Sequence, residues 1–190
     1  TGVYNGTHPT NFDRSRPVSF SDLTFLFYFL PLFFAVYYLV PFRFKNAALV
    51  LGSAAFYFLG ASVRDCLLLL ASVLFNYALA RGMEGRAQGA RKALLLFGLC
   101  ADLFGLVYFK YAAFLLENLG RLVGREFTLV HLALPLGISF YLFQSAGYLI
   151  DVYRGGQAER NLIDFTAFVL AFPQLTMGPI LRYDEWRGAL

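Results

Sequence analysis

Between Leu134 and Gly155 the chain reads LPLGISFYLFQSAGYLIDVYRG, an apolar and aromatic run that holds several groups able to donate, accept or exchange protons. Ser139, Tyr141, Gln144, Tyr148 and Asp151 recur there, and the three, four, three steps from Tyr141 to Asp151 put those four on one face of a helix. Hydroxyl, amide and carboxyl groups along one stripe suit the wall of a path for a polar substrate. The same groups also serve as hydrogen-bonding glue between apolar helices, at about 0.6 kcal/mol each. A second carboxyl, Asp102, lies nine positions into the apolar stretch Ala93 to Tyr111. A carboxylate at the centre of a bilayer helix costs roughly 2.5 to 3.5 kcal/mol, so Asp102 should face either another helix, with Asn76 as partner, or a polar path. Lys110, at the end of that stretch, can extend its stem to the headgroups. With Arg43 it is also a candidate for attracting an anionic headgroup or phosphate.

Other chemistries find little support. The two histidines, His8 and His131, have no nucleophile or carboxylate at useful spacing, and His131 reads as an interfacial or capping residue. Cys66 and Cys100 sit singly in apolar stretches without CxxC or Cys/His spacing, which predicts packing residues and neither a metal nor a redox site. No GxSxG elbow, P-loop or HExxH occurs.

The elements that must position these groups are apolar. The chain is 58% hydrophobic, 18% aromatic and 15% charged, against roughly 45 to 50% apolar and 25% charged in soluble domains, so an all-α polytopic membrane bundle is expected. Its net charge of +4 comes from basic residues scattered between apolar runs, which argues for loop charge and against a nucleic-acid surface. Six apolar segments stand out: Phe20 to Val40, Ala47 to Ala61, Cys66 to Ala80, Ala93 to Tyr111, Leu129 to Ile150 and Leu162 to Leu181. A span needs about 20 residues, so the second and third must borrow from their flanks or sit partly inside the protein.

The last two segments carry Pro135 and Gly137, and Pro173, Gly178 and Pro179, and are expected to be broken or re-entrant. Such breaks sit against protein or a cavity, where the freed backbone groups find partners. The cluster Arg81, Arg86, Arg91 and Lys92 predicts a cytoplasmic loop and an extracytoplasmic N-terminus, although Lys and Arg totals over alternating loops are nearly equal. Residues 1–17 are polar and read as a flexible extension, with 18–190 as one domain and no secretory signal.

Four blocks in order, SFSDLTFLFYFLPLFFAVYYLVP, LVYFKYAAFLLENL, LPLGISFYLFQSAGYLIDVYRG and NLIDFTAFVLAFPQLTMGPILRY, resemble the membrane-bound O-acyltransferase family in its bacterial, alginate O-acetylation branch. The resemblance implies acetyl transfer from a cytoplasmic donor, acetyl-CoA, towards an extracytoplasmic partner acetyltransferase or polysaccharide. It implies a catalytic histidine in a C-terminal half that lies beyond Leu190, so that this chain is an N-terminal portion and inactive alone. It also adds Gln174, Thr176 and Arg182 as candidates near the reaction chamber. Teichoic-acid D-alanyl transfer is the neighbouring activity within the class. A noncatalytic scaffold and a small channel or transporter are the alternatives outside it.

Overall fold

A computed structural model describes residues 25–123, 134–171, 182–183 and 185–186; the N-terminal extension, His8, His131, Gln174 and Thr176 lie outside the described residues. Six α-helices run through it: α1 (Leu30–Leu39), α2 (Lys45–Gly60), α3 (Val63–Met83), α4 (Gln88–Val123), α5 (Ile138–Tyr153) and α6 (Leu162–Leu170), with a π-helical turn at Phe25–Phe29 leading into α1. The described residues are thus all-helical, as expected. α3 and the stretch Gln88–Ala112 of α4 are long and apolar enough to cross a membrane. Their outward faces carry Leu67, Leu70, Leu74, Leu96, Phe97, Leu103 and Phe104 in the open, an apolar surface far larger than water tolerates.

Several boundaries depart from the sequence expectations. α3 gains its length from Ser62, whose hydroxyl accepts from Asp65 N (3.2 Å) while Asp65 Oδ2 accepts from Ser62 N (3.3 Å). This capping box starts the helix three residues before Cys66. α4 does not stop at Tyr111 but runs 36 residues, about 54 Å at 1.5 Å per residue, nearly twice a bilayer core. Its last turns, around Asn118 and Arg121, become polar. Cys100 lies exposed on α4 and is no packing residue within the described bundle.

α5 begins only at Ile138. Gly137 adopts φ 68°, a left-handed conformation that suits glycine, and Pro135 has no N–H to offer, so the helix cannot extend backwards through LPLG. The carbonyl freed at Leu136 accepts a hydrogen bond from the Tyr57 hydroxyl of α2. That is the satisfied break that an apolar environment demands.

Of the segment Leu162 to Leu181, expected to be broken or re-entrant, the described part is helical over Leu162–Leu170. α6 has nine residues, capped by Asn161 Oδ1 accepting from Ile163 N (3.0 Å). Arg182 then pairs with Asp151 at the end of α5 (2.9 Å), and the Tyr183 hydroxyl donates to Glu159 in the α5–α6 loop (2.6 Å). Residues 182 and 183 therefore lie at the end of the bundle where α6 begins.

α5 is the centre, packed against α3, α4 and α6, while α6 also touches α2 and α3, and α1 packs on α2. Glycines set the closest approaches. A Cβ on Gly52 would lie 2.3 Å from the Phe33 ring, so α1 rests its aromatic face directly on the α2 backbone. A Cβ on Gly98 would lie 2.6 Å from Leu149 and 2.8 Å from Leu79, which marks a three-way contact of α4, α5 and α3. One prediction follows from Gly98. Gly98→Val should lower thermal unfolding stability by about 1 to 3 kcal/mol through overpacking. Gly89→Ala, where a Cβ meets nothing within 4 Å, should not lower it, as read by unfolding in detergent.

Candidate functional site

The carboxyl of Asp102 sits near the middle of the apolar Gln88–Ala112 stretch and is 6% exposed. Among the described residues of α4 a narrow stripe, Leu95, Gly98, Asp102 and Leu106, is buried, at the spacing of one helix face. That stripe turns Asp102 inward, where Asn76 Nδ2 of α3 donates to its Oδ1 at 3.1 Å. The Asn76 contact expected from sequence is present. Oδ2 of Asp102 has no hydrogen-bond partner among the described residues, and neither has the hydroxyl of Ser145 on α5.

The helices run antiparallel, so contacts on either side fix which residues share a layer. Gly98 meets Leu149, and one step further out a Cβ on Gly105 would meet Leu142 at 3.9 Å. Between these two contacts the register sets Asp102 opposite Ser145. Asn76, Asp102 and Ser145 thus form one buried polar layer among Leu79, Leu106, Leu142 and Leu149.

Of the α5 residues singled out by spacing, Tyr141, Gln144 and Tyr148 are buried and do share a face, with Asp151 at its end. Tyr148 packs at a tilt of 41° against Phe165 (ring centroids 4.7 Å apart) and meets Tyr183 edge-on (5.1 Å). Its hydroxyl accepts from Glu159 N (2.8 Å). Among the described residues this stripe is packed against neighbouring helices. Ser139 lies in the first turn of α5 and is half-buried.

A polar rim closes the end of the bundle where α5 stops. Arg91 of α4 donates through one nitrogen to the carbonyls of Val152 (2.7 Å), which also accepts from Gly155 N (3.2 Å), and Tyr153 (2.9 Å), at the end of α5 where intrahelical donors run out. A cation at a helix C-terminus is also favoured by the helix dipole. Glu159 anchors the following loop: Oε1 accepts from the backbone of Arg160 (2.8 Å) and Asn161 (2.9 Å), and Oε2 from Tyr183. The Tyr77 hydroxyl of α3 donates to Arg160 O (2.6 Å), and Asn46 of α2 donates to Asp164 (2.8 Å). Beside these contacts lies a cavity of about 430 Å³ lined by Glu84, Gly85, Arg91, Gly156, Gln157 and Arg160, open to the outside. Its two guanidinium groups suit an anionic group.

Sequence spacing joined Tyr141 to Asp151 correctly but missed Arg91, Glu159, Tyr77 and Tyr57 as the residues that hold the segment. Their partners lie many residues away in the chain, and no local pattern signals them. Only Asn161, an N-cap type directly before an apolar run, was legible in principle. No group of three or more His, Cys, Asp or Glu that could hold a metal occurs among the described residues.

A protein of Azotobacter vinelandii named Probable alginate O-acetylase AlgI is 47% identical over 180 residues, covering 87% of this chain and 34% of that protein. Its namesake in Pseudomonas aeruginosa is 46% identical over 87% of this chain and 33% of its own length. This chain is a partial homologue of the membrane-bound O-acyltransferases of the alginate O-acetylase type. It spans about a third of the length of these curated relatives. A more distant relative of the O-acyltransferase homologue is the peptidoglycan O-acetyltransferase of Helicobacter pylori, 34% identical over 87% of this chain and 37% of that protein. No family profile matches the chain, and no solved structure matches it.

Arg91→Met should leave the Tyr153 carbonyl without its donor and the Val152 carbonyl with Gly155 N alone, at about 1 to 3 kcal/mol for an unsatisfied buried group. Hydrogen exchange should quicken in the last turn of α5 and in residues 154–161, with α1 and α2 unchanged.

Proposed function

We propose that the chain is the N-terminal, multi-pass part of a membrane O-acyltransferase that moves acetyl groups from cytoplasmic acetyl-CoA towards an extracytoplasmic acceptor of the alginate type. The identity of 46 to 47% with proteins named for alginate O-acetylation, over most of this chain, carries the reading. The peptidoglycan O-acetyltransferase is more distant at 34%. In this reading residues 18–190 build the helical wall of one acyltransferase domain, and the acyl-transferring histidine comes from sequence beyond Leu190. An extracytoplasmic acetyltransferase or the polysaccharide itself receives the acetyl group. Ser139, Gln174, Thr176 and Arg182 are the residues we assign to the substrate path, with Asp102, Tyr141, Gln144, Tyr148 and Asp151 as the packed polar wall behind it. The cavity beside Arg91 and Arg160 lies on the donor's side.

Charge supports the orientation. The contacts of Asn46 with Asp164, Arg91 with α5, and Arg182 with Asp151 gather the start of α2, the α3–α4 loop and residues 154–161 and 182 at one end. That end carries Arg43, Lys45, Arg81, Arg86, Arg91, Lys92, Arg154, Arg160 and Arg182, whereas the other described end carries Arg64, Lys110 and Arg121. Counting alternate loops over the whole sequence gave a near-even balance and set Arg182 on the far side. With it returned, the positive end is cytoplasmic and α1 enters from outside, in the inner membrane.

Two measurements test these assignments. In an alginate-producing host stripped of its own O-acetylase, the reading frame that continues through Leu190 should restore acetyl groups on alginate, and residues 1–190 alone should not. A membrane-inserted full product that leaves alginate bare would contradict acetyl transfer. For topology, with Cys66 and Cys100 replaced by alanine, Val63→Cys should react with an impermeant maleimide from outside the inner membrane. Gly85→Cys should react only after lysis, and the reverse pattern would invert the orientation.

A further inference from the structure

The Asn76 carboxamide is fully specified by its acceptors. Nδ2 donates to Ser72 O and to Asp102 Oδ1, both at 3.1 Å, so its two hydrogens are used. A flipped amide would aim oxygen at two oxygens, so the assignment of nitrogen and oxygen is forced. What is left over is one oxygen on each side chain. Asn76 Oδ1 and Asp102 Oδ2 are both buried and both without a hydrogen-bond partner among the described residues.

No described cation neutralises the carboxyl. The ion pairs among the described residues are Arg81 with Glu84 and Arg182 with Asp151, both at the cytoplasmic end. From α3 Asn76 contacts Asp102, the Ser72 hydroxyl one turn earlier is buried and makes no hydrogen bond among the described residues, and the charged groups Arg64, Asp65 and Arg81 lie towards the helix ends. On α4 itself the nearest charged side chains, Lys110 and Lys92, are eight and ten residues away along the helix, about 12 and 15 Å. From α5 the titratable group on this side is Tyr141, which is neutral at physiological pH and brings no positive charge. The Ser145 hydroxyl, across the same layer, makes no hydrogen bond to the carboxyl.

A single proton resolves both orphans. Placed on Asp102 Oδ2, it supplies the donor that Asn76 Oδ1 lacks, and with the existing N–H···O bond it would close a cyclic acid–amide pair. Every polar atom of the two side chains then has a partner, and no net charge stands among Leu79, Leu106 and Leu149. We propose that Asn76 and Asp102 form a proton-holding site inside the membrane, in which Asp102 is a neutral carboxylic acid. The site does not depend on acetyl transfer. Release of its proton would leave Asn76 Oδ1 unpaired and an anion in apolar surroundings, so the resting bundle keeps it.

Infrared spectroscopy of the intact protein in lipid nanodiscs, with carbon-13 in the aspartate carboxyls, reads this state directly. A carboxylic-acid C=O band at neutral pH that disappears in Asp102→Asn is the expected result. Asn at position 102 is neutral and can make the same two hydrogen bonds, so Asp102→Asn should unfold at the wild-type temperature while Asp102→Leu unfolds lower. The proposal is overturned if no acid band is lost in Asp102→Asn. It is equally overturned if Asp102→Asn fails to fold or unfolds as early as Asp102→Leu.

Discussion

Backbone polar groups released by a broken helix need partners wherever water is absent, and α5 depends on that constraint at both ends. Its start is cut by Pro135 and Gly137, and the Tyr57 hydroxyl from α2 takes up the Leu136 carbonyl. Its finish leaves Val152 and Tyr153 carbonyls exposed to the bundle, and Arg91 from α4 takes both. A helix of 16 residues, about 24 Å, can therefore sit at the centre of an apolar assembly without reaching water at each end through its own length. The two clamps come from different helices, so they also set how α2 and α4 stand relative to α5.

Close packing then fixes the register. Gly98 lets the α4 backbone settle against Leu149 and Leu79, and Gly105 lies opposite Leu142, where an added Cβ would make an ordinary contact at 3.9 Å. Between them, the buried stripe of α4 has one polar position, Asp102, and the facing helices supply Asn76 and Ser145. Had α4 slipped by one turn along α5, the carboxyl would meet Leu149 or Leu142 in place of Ser145. Gly98 thus helps decide the polar chemistry of the interior without contributing a polar atom.

Much of this was legible in the chain. Apolar runs, the breaks at Pro135 and Gly137, the one-sided spacing of Tyr141, Gln144 and Tyr148, and the inward Asp102 with Asn76 all follow from local pattern and the cost of burying a carboxyl. Pro173, Gly178 and Pro179 marked the run from Leu162 to Leu181 as broken or re-entrant, but the place of residues 182–183 beside the start of α6 was not legible. That place is marked by contacts, Arg182 with Asp151 and Tyr183 with Glu159, that join residues 31 and 24 positions apart. The length of α4 was hidden for a related reason: its final turns change from apolar to polar without any residue that stops a helix.

Cysteine cross-linking between α4 and α5, in lipid and with Cys66 and Cys100 replaced, tests the clamped register most directly. Gly105→Cys paired with Leu142→Cys should form a disulfide readily, whereas Gly105→Cys paired with Leu149→Cys, two turns along the same face, should not. Equal cross-linking of both pairs, or preference for the second, would contradict the arrangement that brings Asn76, Asp102 and Ser145 into one layer.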